Sequence, residues 1–446
     1  MSHNQNTDRQ FDSLPMVIFG EDWNAHPSST QHLARELSEF HDITWFNSIG
    51  LRAPRLTLSD LGRVVSKGAA MLNRFRRVDA TAANDQDPLI KRSPNDWQPS
   101  VIDPVALPFH GRRWARWLNQ KLLSQRLFSV RRDLRQKQTL LWVSLPSAEC
   151  ALGNMNDCFS IYYCGDDFAA LEGVDHAVMA ELEAKLVAKV DLIIVASDAL
   201  RKKFPAEKTL YIPHGVADYF FEAPNERPAD LPQGPIAGFY GSISSWLDQR
   251  LLLETARRMP DWQFVLIGRV ACDISLLEGQ SNIHFLGEKD HQQLPDYVHH
   301  WQVSLLPFLD NAQIRACNPL KLREYMAIGK PIVSTRFPAL AGYEEWLQVV
   351  DHDDVDALAH RAGEFAAAIK QAAANLPGLD RLLVEKTNLT FFNTIRDWQD
   401  IERLQRNNQQ RSQRVQGESW RARAMLIYRE IRRRQQLAAT GGCHHE

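Results

Sequence analysis

The chain predicts an α/β fold of two doubly wound domains, and three observations carry that expectation. At 446 residues it is long enough for two hydrophobic cores. Its first part opens as strand, polar loop, helix, strand: Met16–Phe19 and Ile43–Phe46 are apolar runs, and Leu33, Leu37 and Phe40 are spaced for one helix face between them. Its second part repeats short apolar runs from Ile236 onward, through Trp262–Gly268, Asn282–Gly287 and Val303–Pro307 to Ile332-Val333. Short apolar runs alternating with helical stretches are the pattern of buried parallel strands.

Composition narrows the class. The formal net charge is −2, so the whole chain has no bias toward nucleic acid. The six cysteines, at 150, 158, 164, 272, 317 and 443, show neither metal nor redox spacing, which predicts no metal site and a reducing, cytoplasmic compartment. The start of the chain lacks a basic-then-apolar secretion signal. The longest apolar runs, such as Leu140–Val143 and Leu192–Ala196, are far short of a membrane span. A soluble or peripheral protein is expected.

Taken in order, residues 1–13 form a polar, disordered tail and 14–215 the first domain. After Met16–Phe19 comes a loop bearing Glu21, Asp22 and His26, then a helix over about Gln31–Phe40 capped from Ser28, Ser29 or Thr30. Ligands of doubly wound sheets sit at the carboxyl ends of strands, so Asp22 and His26 are candidate catalytic residues, although His26 serves equally as a solvated or capping side chain. No G-x-G-x-x-G follows the strand, which argues against a dinucleotide oxidoreductase.

Residues 52–137 form a basic insert, with 18 Lys and Arg against 7 Asp and Glu, a balance of 18 − 7 = +11. Two helices are expected in it, Asp60–Arg77 and Trp114–Lys137, with apolar residues such as Phe75, Trp114, Trp117 and Leu122 between the charges, and a strand over Val105–Leu107. Such helices suit an anionic membrane surface; a cationic rim around a diphosphate site is the alternative. Strands follow at Leu140–Ser144, Ser160–Cys164 and Asp191–Ala196. Asp166, just past the second of these, is a third candidate catalytic residue, or else the cap of the next helix. A proline-rich linker spans 216–235, the second domain 236–400, and a final helix and tail 401–446.

The most informative stretch is Ala316–Thr335. It reads as loop, helix, turn and strand, with Asn318 as N-cap, Pro319 as first helical residue, Gly329 as left-handed C-cap and Pro331 as terminator. Free amides at a helix start seat a phosphate, Lys321 adds a full charge there, and Glu324 one turn on, a fourth candidate catalytic residue, could hold a ribose diol. The Gly-rich loop Gly241-Ser242 brings backbone amides close to a phosphate, and Arg269 follows the next strand.

Pro319-Leu320-Lys321-Leu322 through Glu324-Tyr325-Met326-Ala327 to Gly329-Lys330-Pro331-Ile332-Val333-Ser334-Thr335 resembles the donor-binding signature of the retaining glycosyltransferases of family 4, or group 1, which have the GT-B fold. Asp191–Ser197, the turn Pro213-His214-Gly215-Val216, and Ser419-Trp420 with Arg423-Ala424 resemble further segments of that family. The chain departs from it in three places. Ala316 stands where the first of two spaced glutamates is usual, His214 where asparagine is usual, and Ser242, Ser244, Trp246 and Asp248 where an arginine–lysine pair often follows the glycine loop.

The resemblance implies two facing Rossmann-like domains with a cleft between them and a last helix crossing back to the first. It implies retaining transfer of a sugar from a nucleotide-diphosphate sugar, a substrate rather than a cofactor, to a glycan acceptor in bacterial polysaccharide synthesis. Donor contacts would come from Gly241, Ser242, Arg269, Asn318, Pro319, Leu320, Lys321 and Glu324. The basic insert adds the expectation of a lipid-linked acceptor and attachment to the inner face of a membrane. Two other readings stay open: a nucleotide-sugar 2-epimerase and a non-catalytic scaffold of the same architecture.

Overall fold

The computed structural model of the chain describes residues 14–23, 25, 28–49, 97–107, 109–135, 138–152, 158–168, 174–223, 226–351, 358–374 and 408–441. His26, the helix expected at Asp60–Arg77 and the segment 388–404 lie outside the described residues. The chain groups into two compact units: 1–196, 200–212 and 424–446 form the first, and 197–199 with 213–423 the second. The changeover at Pro213 lies close to the linker expected from the prolines. The C-terminal segment divides at Ala424, further along than the boundary of 401 expected from sequence.

The first unit holds seven parallel strands in the order β3-β2-β1-β4-β5-β6-β7. They are β1 (Met16–Phe19), β2 (Ile43–Phe46), β3 (Ser100–Ile102), β4 (Thr139–Val143), β5 (Cys158–Cys164), β6 (Leu192–Val195) and β7 (Thr209–Tyr211). Strand order reverses between β1 and β4, which pair in register from Met16 with Leu140 to Phe19 with Val143. Helix α1 (Ser29–Leu37) starts from Ser28, whose hydroxyl accepts the Gln31 amide. Helices α2 (Arg113–Val130) and α3 (His176–Lys189) lie on one face of the sheet. There Leu123, Leu127 and Leu186 join Val17, Phe19, Phe46, Leu141 and Val143 in a single core.

Two expectations for this unit need correction. Val105–Leu107 is not a strand. The edge strand is β3, and the backbone of Leu107 is held instead by buried Asn119, which accepts from its amide at 2.6 Å and donates to its carbonyl at 2.9 Å. A side-chain amide thus replaces a sheet neighbour. The second basic helix ends at Val130 rather than Lys137, and a short 3-10 turn follows over Arg132–Arg135. Its buried stripe is Ala115, Asn119, Leu123 and Leu127, which leaves Trp114 and Trp117 on the outside.

The second unit repeats the plan. Its six parallel strands run β10-β9-β8-β11-β12-β13: β8 (Ile236–Tyr240), β9 (Gln263–Ile267), β10 (Ile283–Phe285), β11 (Val303–Leu306), β12 (Ile332–Thr335) and β13 (Gln348–Val350). Helix α4 (Gln249–Arg258) follows β8, α5 (Leu320–Ile328) precedes β12, and α6 (Leu358–Ala374) packs on α4. Helix α5 ends at Gly329 in the left-handed conformation, φ 86°, as expected. The last helix, α7 (Trp420–Gly441), brings Tyr428 onto Phe40 of the first unit with ring centroids 4.4 Å apart, while Arg434 donates to the carbonyls of Asp191 and Glu207.

Both sheets follow the order 3-2-1-4-5-6, with a seventh strand added in the first. In such sheets the place for a ligand is where the order reverses, at the carboxyl ends of the two central strands. That rule selects the loops after β1 and β4 in one unit and after β8 and β11 in the other.

Candidate active site

In the second unit the loop after β8 is built from glycine by necessity. Gly241 has φ 130°, and a β-carbon placed on it would lie 2.1 Å from Cε of Lys321. Gly268, after β9, has φ 137°, and a β-carbon there would lie 2.2 Å from the Gly241 carbonyl oxygen. Two bare backbones and the Lys321 side chain therefore share one small space, which any other residue would fill. Ser242 and Ser244 share a hydroxyl hydrogen bond of 2.8 Å. Ile243 donates to the Arg269 carbonyl at 2.8 Å, fixing that turn beside the glycine loop, and the Arg269 side chain is exposed.

Lys321 stands on the first turn of α5. Its ammonium lies 5.6 Å from the Phe239 ring and 5.5 Å from the Trp246 ring. Two aromatic faces hold the cation beside the glycine loop by charge–quadrupole attraction. Trp246 thus supports the lysine from one of the positions where the family's basic pair would stand. Asp248, two residues on, is spent as the N-cap of α4, accepting from the Leu251 amide at 2.9 Å.

The start of α5 differs from expectation. Pro319 is the N-cap, Leu320 the first helical residue, and no side chain caps the helix. Asn318 is drawn away because its carbonyl oxygen accepts from Arg323 Nη1 at 2.6 Å, and Arg323 is itself held by Glu418 at 2.8 Å. The charged donor outcompetes a neutral backbone amide for that oxygen. The result is a buried loop, with Asn318 5% exposed, that delivers an uncapped helix start next to Lys321.

Glu324 lies one turn along α5. It is 2% exposed, and its two oxygens face inward: Oε1 meets His291 Nε2 at 2.9 Å, and Oε2 accepts from the Tyr240 hydroxyl at 2.5 Å. His291 Nδ1 in turn lies 2.5 Å from the Tyr219 hydroxyl. Burial pushes the Glu324 carboxyl upward, but His291, Tyr240 and Lys321 outweigh it and hold its pKa below the ordinary glutamate value. The carboxylate is thus the centre of a hydrogen-bonded chain, Tyr219–His291–Glu324–Tyr240, that ties α5 to β8. Sequence reasoning missed His291 and Tyr219, because no periodicity links a loop histidine to a helix far along the chain.

In the first unit the structure brings Glu21, Asp22 and Asp166 to the carboxyl ends of β1 and β5. Glu21, rather than Asp22, is the sheltered group. Burial raises its pKa above the ordinary glutamate value, and Asp166 and Asp22 add repulsion, against hydrogen bonds from its own backbone and from Ser28 at 3.0 Å. Asp22 accepts the Ser48 amide at 3.0 Å and serves the loop. Asp167, beside Asp166, is paired with Lys203 at 2.7 Å. Trp23 forms a lip here, with Trp45 and Trp97 at centroid distances of 4.9 and 5.9 Å. A carboxyl that keeps its proton longer than usual can donate a hydrogen bond to a hydroxyl oxygen. Among the described residues no group of three His, Cys, Asp or Glu side chains is placed to hold a metal.

Residues 234–375 match the family model described as Glycosyl transferases group 1. The chain is 29% identical over 201 residues to the Bacillus subtilis (strain 168) protein that carries the name teichuronic acid biosynthesis glycosyltransferase TuaH. The aligned part is 40% of this chain and 51% of that protein, so the chain spans about half the length of this curated relative. Among solved structures it is similar to Anabaena Alr3699/HepE in complex with UDP and glucose, with a TM-score of 0.57 at 11% identity over 94% of this chain and 99% of the other. It is also similar to an α,α-trehalose 6-phosphate synthase from Burkholderia multivorans, with a TM-score of 0.55 at 13% identity over 96% and 100% of the two chains. The two doubly wound parallel sheets share the fold of these solved structures, and residues 234–375 are the part that matches the group 1 glycosyl transferase model.

Proposed function

We propose that the protein is a glycosyltransferase of polysaccharide synthesis that takes a sugar from a nucleotide-diphosphate sugar and places it on a glycan acceptor. The observation that carries this reading is the cradle at the switch point of the second sheet: Gly241 and Gly268 stripped of side chains, Lys321 held over them by Phe239 and Trp246, and an uncapped α5 beside it. In the reaction the bond from the anomeric carbon to the diphosphate breaks and its electron pair leaves with the diphosphate. The acceptor oxygen forms the new bond and its proton passes to the departing diphosphate. Charge grows on the departing phosphate, and preorganised amides with the Lys321 cation are matched to that charge. Glu21 and Asp166 are the groups suited to orient the acceptor hydroxyl. Retention of configuration is part of this proposal and is supported by the resemblance of α5 to the family signature alone; the nucleotide-sugar enters as substrate.

The lipid-linked acceptor and the peripheral membrane location belong to the same reading. Phe109 and Trp114, 43% and 59% exposed, have ring centroids 6.3 Å apart, and Arg112 and Arg113 are exposed beside them. Aromatic rings flanked by arginines suit an anionic interface. No described helix is long and apolar enough to cross a membrane.

The test is release of nucleoside diphosphate from a panel of nucleotide-sugars, with a membrane lipid extract as acceptor source. Acceptor-dependent release with sugar entering the lipid fraction is expected. A free epimerised sugar would overturn this reading in favour of a 2-epimerase. Donor binding without turnover would overturn it in favour of a scaffold, the role that Ala316 in place of the first signature glutamate favours.

A further inference from the structure

A groove of about 680 Å³ runs along one flank of the first unit, between α2, the turn Pro146–Ala151 and α3. Its walls repeat at helical spacing. Arg113, Arg116, Trp117 and Gln120 stand at i, i+3, i+4 and i+7 on α2, and Glu181, Lys185 and Lys189 at i, i+4 and i+8 on α3. These stripes are not the ones the helices bury, which are Ala115, Asn119, Leu123 and Leu127 on α2 and Met179, Leu182, Glu183 and Leu186 on α3.

The walls are held in place by ion pairs. Arg116 Nη1 lies 3.3 Å from Glu181 Oε1 and donates to the His110 carbonyl at 3.3 Å. Lys185 pairs with Glu181, and Lys189 with Glu149, whose side chain is 7% exposed. Arg113 has no ion pair among the described residues. Four cations against two carboxylates leave the lining at 4 − 2 = +2. Trp117 stands at the rim, 57% exposed, with Lys121 Nζ 4.0 Å from its ring centroid. None of these residues belongs to the cluster around Glu21, and only Arg113, at the groove's end, is shared with the anionic interface proposed above.

We propose that this groove is a subsite for an acidic oligosaccharide, one whose pyranose rings carry carboxylates. Each feature has a counterpart in such a ligand. The indole offers the face opposite Lys121 to the C–H face of a pyranose, since an aromatic ring gives a large contact area at low entropic cost. Gln120 supplies an amide for hydroxyl groups, and Glu149 and Glu181 supply acceptors. Arg113 and the surplus charge take the carboxylates, the guanidinium of Arg113 in bidentate fashion. The size lies within the range of about 300–1,000 Å³ usual for small-ligand sites. A neutral glycan leaves the surplus charge unanswered, and a bare anion leaves the indole unused. As the subsite of a growing acceptor chain, the proposal rests on the glycosyltransferase reading; as a glycan site it does not.

The experiment uses the full chain and three probes: tetragalacturonate, neutral maltotetraose and inorganic phosphate, read by titration calorimetry and Trp fluorescence. Tetragalacturonate is expected to bind at least tenfold more tightly than maltotetraose. Trp117→Ala and Arg113→Ala should each weaken it about tenfold or more, with melting temperatures unchanged because both side chains are exposed. Equal binding by wild type and Trp117→Ala would overturn the proposal. So would full displacement by phosphate at matched ionic strength, which means an adventitious ion only. Stabilisation by nucleotide-sugars is measured in the same samples. If donor stabilisation is present and glycan binding absent, this inference fails and the transferase reading stands; the converse removes the transferase reading and leaves the glycan site.

Discussion

At the scale of single residues, Glu324 and Lys321 have separable tasks. Glu324 is locked to His291 and Tyr240, so Glu324→Gln removes a buried charge from a hydrogen-bonded chain. The loss of one charged hydrogen bond is worth about 1.5–3 kcal/mol. The variant should melt several degrees lower and also lose donor affinity, and His291→Gln should reproduce the stability loss; unchanged melting in both would dissolve the proposed chain. Lys321 stands over the glycine loop from an aromatic seat and also favours the Glu324 charge, so Lys321→Ala should lower melting by less than Glu324→Gln does. It should lower kcat more than it raises KM, since the departing diphosphate gains charge only as the bond breaks. A rise in KM alone would assign the lysine to ground-state binding.

His214 gives a pH test of the same kind. It is 7% exposed; burial lowers its pKa to about 3, and the nearby charges of Arg323 and Arg423 push the same way. Between the ordinary value of 6.5 and about 3 the unfolded chain therefore binds a proton that the folded chain refuses. The stability contributed by neutral His214 is complete above pH 6.5 and is lost as pH falls toward 3. His214→Asn, the family's usual residue, should flatten the fall in melting temperature over that window. Parallel curves for the two proteins would show that the histidine does not titrate on unfolding.

At the scale of elements, the glycine loop after β8 is the least replaceable piece. Gly241→Ala must push Lys321 aside and hold an unfavourable φ, which costs about 1–3 kcal/mol for a residue with a side chain. Donor binding should fall at least tenfold while circular dichroism stays that of the wild type; undiminished binding would show that the loop does not approach the ligand. Much at this scale was legible in the sequence. Parallel strands buried on both faces read as short apolar runs, and those at Met16, Ile43, Ile236 and Ile332 all became strands. The C-cap at Gly329 was legible because it depends only on local backbone geometry. The cap of α5 was misread at Asn318 because Arg323 and Glu418, a tertiary pair, claim that side chain. Val105–Leu107 was misread because Asn119 supplies from a helix the hydrogen bonds that a sheet would otherwise give. Of the catalytic candidates, Asp22 was named before its neighbour Glu21, since sequence alone does not show which of two adjacent carboxyls is sheltered.

At the scale of the whole molecule, one strand order is used twice, and each copy places chemistry at its own switch point. The first unit collects carboxyls and tryptophans there, the second glycine, lysine and a helix start. In the proposed function that division puts a hydroxyl-bearing acceptor on one and a diphosphate donor on the other. The basic character of 52–137 bears on location. Wild type should co-sediment with anionic vesicles at low salt and be released as salt is raised, because charges beyond about 8–10 Å are screened at physiological ionic strength. Trp114→Ala should weaken that binding, and equal, negligible binding to anionic and neutral vesicles would remove the membrane from the account.

The central claim is that the cradle of Gly241, Gly268 and Lys321 holds the diphosphate of a nucleotide-sugar. Calorimetric titration of the wild type and of Lys321→Ala with UDP-, GDP- and dTDP-sugars tests it most directly. At least one donor should bind the wild type with a dissociation constant below about 1 mM, equivalent to about −4 kcal/mol. Its free nucleoside diphosphate should compete for the same site, and Lys321→Ala should weaken both together. No binding by any donor, or identical binding by the two proteins, would contradict the account.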